Sequence, residues 1–171
     1  CLGIIGALAA LVVVIVVIVA VTSGGGSSAA ADVHLTLAKG SSGAIAAEGN
    51  SGKKSKVTIL DIKDPATSTN EFERPAAGKK YVALNVEVEN VGKNEVSSLD
   101  WKLRDSKDQE HDEDFVSGVG QGLEPFYNLT PGGKTQGWVV FEIDSDASIK
   151  WVRADPNPFL RNDLYFDTGA K

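Results

Sequence analysis

Tyr81-Val-Ala-Leu-Asn-Val-Glu-Val-Glu-Asn-Val91 places Val82, Leu84, Val86 and Val88 on every second position, with Asn85, Glu87 and Glu89 between them. Successive side chains of a strand point to opposite faces, so this alternation predicts a strand with one face in a core and one in water. Asn90 and Gly92 close it. Outward from this stretch the same period recurs. Leu99, Trp101 and Leu103 alternate, Trp138 to Ile143 is nearly all apolar as a central sandwich strand can be, and Ile149 to Val152 and Leu164 to Phe166 follow. Upstream, Val57 to Ile62 predicts the first strand. Gly, Pro, Asn and Asp separate these runs, and none has the periodicity of an amphipathic helix. The expectation is an all-β domain over residues 56–171, an antiparallel sandwich burying Val82, Leu84, Val86, Val88, Trp101, Val140 and Trp151.

The N-terminal part is a different material. The sequence carries 17 basic and 23 acidic residues, all of them from Asp32 onward. Leu2 to Val21 is an unbroken apolar run, about the 20 residues a helix needs to cross ~30 Å of hydrocarbon. A transmembrane helix is expected over residues 1–22, touching lipid through residues 2–21, with Gly3, Gly6, Ala7 and Ala10 as the small residues that let another helix approach. Three readings of Cys1 stay open: an ordinary residue at the edge of the span, the lipidated first residue of a lipoprotein, or the start of a processed pilin helix.

Residues 23–55, rich in Gly, Ser and Ala, predict a flexible linker that holds the domain on the extracytoplasmic side of the cell membrane. Within it Val33, Leu35 and Leu37 alternate with His34 and Thr36. That is a strand too short to stand alone, able to add to a sheet edge of its own domain or of a partner; the alternative is a mildly apolar piece of linker.

Charge narrows the partners. Seventeen basic against 23 acidic residues leaves a net charge of −6, and no Lys/Arg cluster could follow a phosphate backbone, which excludes nucleic acid. The same balance argues against the domain lying on anionic lipid. Cys1 is the only cysteine, so the domain has neither disulfide nor thiol nucleophile and rests on packing.

Gly78-Lys79-Lys80-Tyr81-Val82, the ending Glu89-Asn90-Val91-Gly92, Asp105-Ser106-Lys107-Asp108, and Leu129-Thr130-Pro131-Gly132 leading to Gly137-Trp138-Val139-Val140-Phe141-Glu142 carry a resemblance. Over residues 56–166 the chain resembles the domain of unknown function common in membrane-anchored proteins and lipoproteins of Gram-positive bacteria. Members of that family have an immunoglobulin-like sandwich similar to a secreted mycobacterial antigen. The resemblance implies an immunoglobulin-like fold and an extracytoplasmic compartment, and it implies no catalytic residues. The motifs are also turns in their own right: Pro131 presets φ, and Gly132 and Gly133 supply backbone freedom between two strands.

Candidate chemistry is sparse. Asp105, Asp108, Glu110, Asp112 and Asp114, with Glu113 and His111, form an oxygen-rich run that is a weak candidate for calcium. The calcium-loop spacing and its glycine are missing, and a solvated hairpin turn accounts for the run as well. His34 and His111 are the only histidines, no nucleophile motif accompanies them, and no cofactor is expected. The Gly-rich loop of residues 118–127, with Leu123, Phe126 and Tyr127, and a second loop bearing Phe159 are candidate contact surfaces, unless these side chains plug the ends of the core. The reading is a non-catalytic interaction module, an accessory subunit of a larger bacterial membrane complex that contacts other membrane or envelope proteins. The alternative is an anchored receptor or lipoprotein for a small ligand or metal ion.

Overall fold

The computed structural model describes residues 32–47, 52–156 and 162–169. The expected span over residues 1–22, its packing residues Gly3, Gly6, Ala7 and Ala10, and Phe159 lie outside them. Among the described residues no helix is long and apolar enough to cross a membrane.

In chain order the strands are β1 (Val33–Thr36), β2 (Ser42–Ala46), β3 (Lys54–Ala66), β4 (Lys79–Asn90), β5 (Val96–Ser97), β6 (Asp100–Asp105), β7 (Glu110–Asp112), β8 (Asn128–Leu129), β9 (Lys134–Asp144), β10 (Ile149–Asp155) and β11 (Leu164–Asp167). A five-stranded sheet, β1-β11-β10-β6-β7, faces a four-stranded sheet, β2-β3-β4-β9, and β5 pairs with β8 at one end. The alternation from Tyr81 to Val91 builds β4, where Val82, Leu84, Val86 and Val88 are fully buried. They meet Val57 and Ile59 of β3, Phe141 and Ile143 of β9, and Trp101, Leu103, Val152, Leu164 and Phe166 from the opposite sheet in one apolar core. Burial of such side chains, at roughly 25 cal/mol per Å², is the main stabilising term in a domain without disulfides.

Four expectations are corrected. The linker over residues 23–55 is not linker throughout, because β1 and β2 fall inside it and β3 begins at Lys54. Val33, Leu35 and Leu37 pack against the core, and an apolar alternation that can bury one face beside a sheet edge outweighs the glycine content around it. Nor is the sandwich wholly antiparallel. β1 runs parallel to β11, Val33 opposite Leu164 and Thr36 opposite Asp167. A parallel pair needs a long connection, and here the connection is the rest of the domain.

Trp151 is only half buried, because Val152 takes the inward position and Trp151 stands on the outer face with its edge on Tyr165, ring centroids 5.3 Å apart. Finally, β9 is the edge of its sheet and not a central strand. Its apolar character on both faces is explained by the segment Asp114–Leu123, which runs along that edge and over the outer face.

Candidate functional site

β3 shows how the sequence builds the outer face. Val57 and Ile59 point into the core, but a register shift between Ile59 and Asp61 changes the phase, so Ile62 joins the core and Lys63 turns outward. A bulge does this by inserting one extra residue into the pairing. Lys63 then lies over Trp138 of β9, its ammonium 4.1 Å from the ring centroid, and donates to the carbonyl of Val119 at 3.0 Å. On the same face Ala66, Tyr81, Ala83 and Val140 bury Val119, with Val116 and Trp138 packed alongside. The segment that supplies Val119 is thus fastened by a cation on one side and a small apolar cluster on the other.

Two backbone bridges close the β9 edge. Asp114 N–H donates to the Val140 carbonyl at 2.7 Å; Trp138 N–H donates to the Gln121 carbonyl at 2.9 Å, and Leu123 N–H to the Trp138 carbonyl at 3.0 Å. Gly137 is required where the chain wraps the edge, since a methyl there would overlap the backbone of Gly122 and Leu123. Gly120 fills a similar role on the outer side, with φ at +152° and the Trp138 indole against it. The loop after β3 clasps the same segment: Ser68 Oγ donates to the Ser117 carbonyl at 2.7 Å, Thr69 N–H to the Gly118 carbonyl at 3.0 Å, and Ser117 N–H to the Glu73 carboxylate.

Between the bridges at Val140 and Trp138 a cleft of about 320 Å³ opens, with Val116, Leu123, Trp138 and Val139 as apolar lining and Glu73, Glu113 and Asp114 as carboxylates. Phe115 lines it while remaining 75% exposed. Phe72 at 88% and Phe126 at 89% stand on the loops that supply Glu73 and Leu123 to its lining. Among the described residues these are three of the four large apolar side chains exposed to solvent, the fourth being Val91.

The carboxylates differ. Glu73 accepts from Ser117, and Asp114 is pushed up by burial and by the charge of Glu142, with the Glu142 backbone N–H acting against that rise. Glu113 has no such relief. Burial, followed by the charges of Asp100 and Asp112, pushes its carboxyl up to about 7, and among the described residues no cation or donor meets it.

The acidic run does not converge. Asp105 is fully buried and not solvated: its Oδ1 accepts Lys107 N–H at 2.8 Å and Gln109 N–H at 2.9 Å, and its Oδ2 lies 2.9 Å from His111 Nε2. A carboxylate three residues from the tip can cap a tight turn's backbone donors, which accounts for the burial. Asp108 pairs with Lys150 at 2.7 Å, Asp112 with Lys102, Glu110 is exposed, and Asp114 stands at the cleft. Among the described residues no three His, Cys, Asp or Glu side chains are grouped to hold a metal ion.

Of the candidate contact residues, Val33, Leu35, Leu37, Leu123 and Tyr127 pack against the core. Tyr127 Oη accepts Leu99 N–H at 3.2 Å, and burial pushes its hydroxyl up to about 12. Phe126 alone of the described candidates points into solvent. Phe72 and Phe115 are not among the sequence candidates, and Glu113 enters there only as part of the acidic run. Phe115 and Phe72 each sit among charged neighbours with no strand period, a signal that an isolated aromatic is not core.

The described residues therefore define an all-β sandwich whose one edge strand is wrapped by a clefted loop. The chain belongs to the family described as Domain of unknown function (DUF4352), whose model matches residues 50–161. Two solved structures share the fold. One is the secreted protein MPT63 of Mycobacterium tuberculosis, 13% identical with a TM-score of 0.59 over 81% of this chain and 99% of that one. The other is ycdA, a candidate lipoprotein of Bacillus subtilis, 15% identical with a TM-score of 0.52 over 70% of this chain. The chain spans 39% of the length of that ycdA structure. No curated protein matches the sequence.

Proposed function

We propose that this chain is a membrane-anchored, extracytoplasmic interaction module, a non-catalytic accessory subunit of a larger bacterial membrane complex, and that the cleft on the β9 edge is its contact surface. The observation that carries this reading is a cleft on the wrapped β9 edge lined by the exposed Phe115, with exposed Phe72 and Phe126 on the loops that supply its Glu73 and Leu123. Exposed aromatics rimming a pocket are the usual anchors of a protein interface. The apolar run of residues 2–21 supports the anchor, and the descriptions of the two structural neighbours, one secreted and one a candidate lipoprotein, support the outer side. Tethering to a membrane raises the effective concentration of a partner to about the millimolar range, so a cleft of modest affinity suffices.

The volume of about 320 Å³ favours a second reading, an anchored receptor for a small ligand, because it reaches the lower end of ligand pockets.

The test compares co-purification from native membranes of three chains: the unaltered one, one with Phe115→Ala and Phe126→Ala, and one with an unrelated span in place of Leu2 to Val21. Loss of the same protein set from the double variant alone supports the reading. Loss from the span swap alone overturns it.

A further inference from the structure

We propose that the β9-edge cleft recognises a lysine or arginine side chain presented beside an apolar residue by an extended segment of a partner protein. This rests on the reading of the cleft as the contact surface and names the chemistry it selects.

Three acidic residues line the hollow beside Val116, Leu123 and Trp138, and among the described residues Glu113 meets neither cation nor donor. The neighbouring cations are committed elsewhere. Lys63 lies over Trp138 and holds the Val119 carbonyl, and Lys102 is paired with Asp112. A half-buried carboxylate facing Asp100 and Asp112 without a counter-ion is unfavourable as it stands, and an incoming cation relieves both its desolvation and the like-charge repulsion. A neutral donor offsets part of the desolvation but not the repulsion, and an anionic guest adds to the repulsion.

The hollow is too small for a folded surface but takes one or two side chains. The exposed Phe115 carries apolar contact from the lining out to the surface, which suits a side chain presented by a strand-like segment and exceeds what a free amine would cover. On the five-stranded sheet charged groups of the described residues pair with one another: His34 with Asp167 at 2.8 Å, Arg153 with Asp163 at 3.4 Å, and Arg104 with Asp108 at 3.8 Å.

The test is a two-dimensional amide NMR titration of the whole chain with three capped pentapeptides: Gly-Lys-Phe-Lys-Gly, its glutamine counterpart and its glutamate counterpart. The lysine peptide should shift the Trp138 indole and the amides of Val116 to Leu123, bind about fivefold more tightly than the glutamine peptide, and lose that advantage in the Glu113→Gln variant. Equal binding of lysine and glutamine peptides by the unaltered chain overturns the charge selection while leaving the cleft a contact surface. No shift in these resonances from any peptide at about 10 mM overturns both. Preservation of the dispersed amide spectrum in Glu113→Gln shows that the variant is folded.

Discussion

His111 Nε2 lies 2.9 Å from the Oδ2 of a fully buried Asp105. Burial, the largest single influence, pushes this carboxyl up, yet the bonds from His111, Gln109 and Lys107 outweigh it and hold it below its ordinary 3.8. A depressed folded value means that the stabilisation is present above the unfolded value of about 4 and fades as pH falls through the lower folded one. Asp105→Ala leaves two turn N–H groups without an acceptor, and a loss of about 2–4 kcal/mol is expected at pH 7. Thermal melts at pH 7 and pH 3 should show a larger difference from wild type at the first than at the second. An equal difference at both would show that the charge is irrelevant.

Leu35 sits in parallel register with Phe166 and packs against the main core. Leu35→Asp places a charge there, and about 2–3 kcal/mol should be lost in urea unfolding. A variant with an unchanged midpoint would put β1 back in the linker.

Glu113 titrates near 7, above its ordinary 4.5. For a raised acid the folded state is favoured fully below the unfolded value, and that advantage is lost as pH rises through 7. Glu113→Gln should therefore melt higher than wild type at pH 8, by on the order of 1–2 kcal/mol, and alike at pH 4. A stabilisation independent of pH would contradict the assignment.

Gly137 faces the backbone of Leu123 so closely that Gly137→Ala must push the wrapping segment off the β9 edge. A loss of about 2–4 kcal/mol is expected, together with a shift of Trp138 fluorescence toward the exposed form. An unshifted emission would mean that the loop yields without moving.

The period of two was legible in β6, in β11 and from Leu84 onward in β4, because there one face is dry and the other is wetter. Trp138 to Ile143 misled for a physical reason: a strand can be apolar on both faces by being central or by being an edge that a loop covers, and periodicity does not separate the two. β1 was half legible, its alternation present but its partner 131 residues away in Leu164. Asp105 read as solvated because spacing does not reveal a carboxylate that caps its own turn. Phe115 and Glu113 became a site only when the Asp114 and Gly122 bridges folded them against β9, a relationship set by long-range pairing and not by any local motif.

The most direct test of the cleft as contact surface is photocrosslinking in intact cells of the native organism, with p-benzoylphenylalanine in place of Phe115 in one chain and of the exposed Thr36 in another. The account predicts a discrete protein adduct from position 115, absent from position 36 and abolished when Glu113→Arg is added. Adducts from position 36 alone would contradict it; an adduct from position 115 that survives the charge reversal would overturn the charge selection.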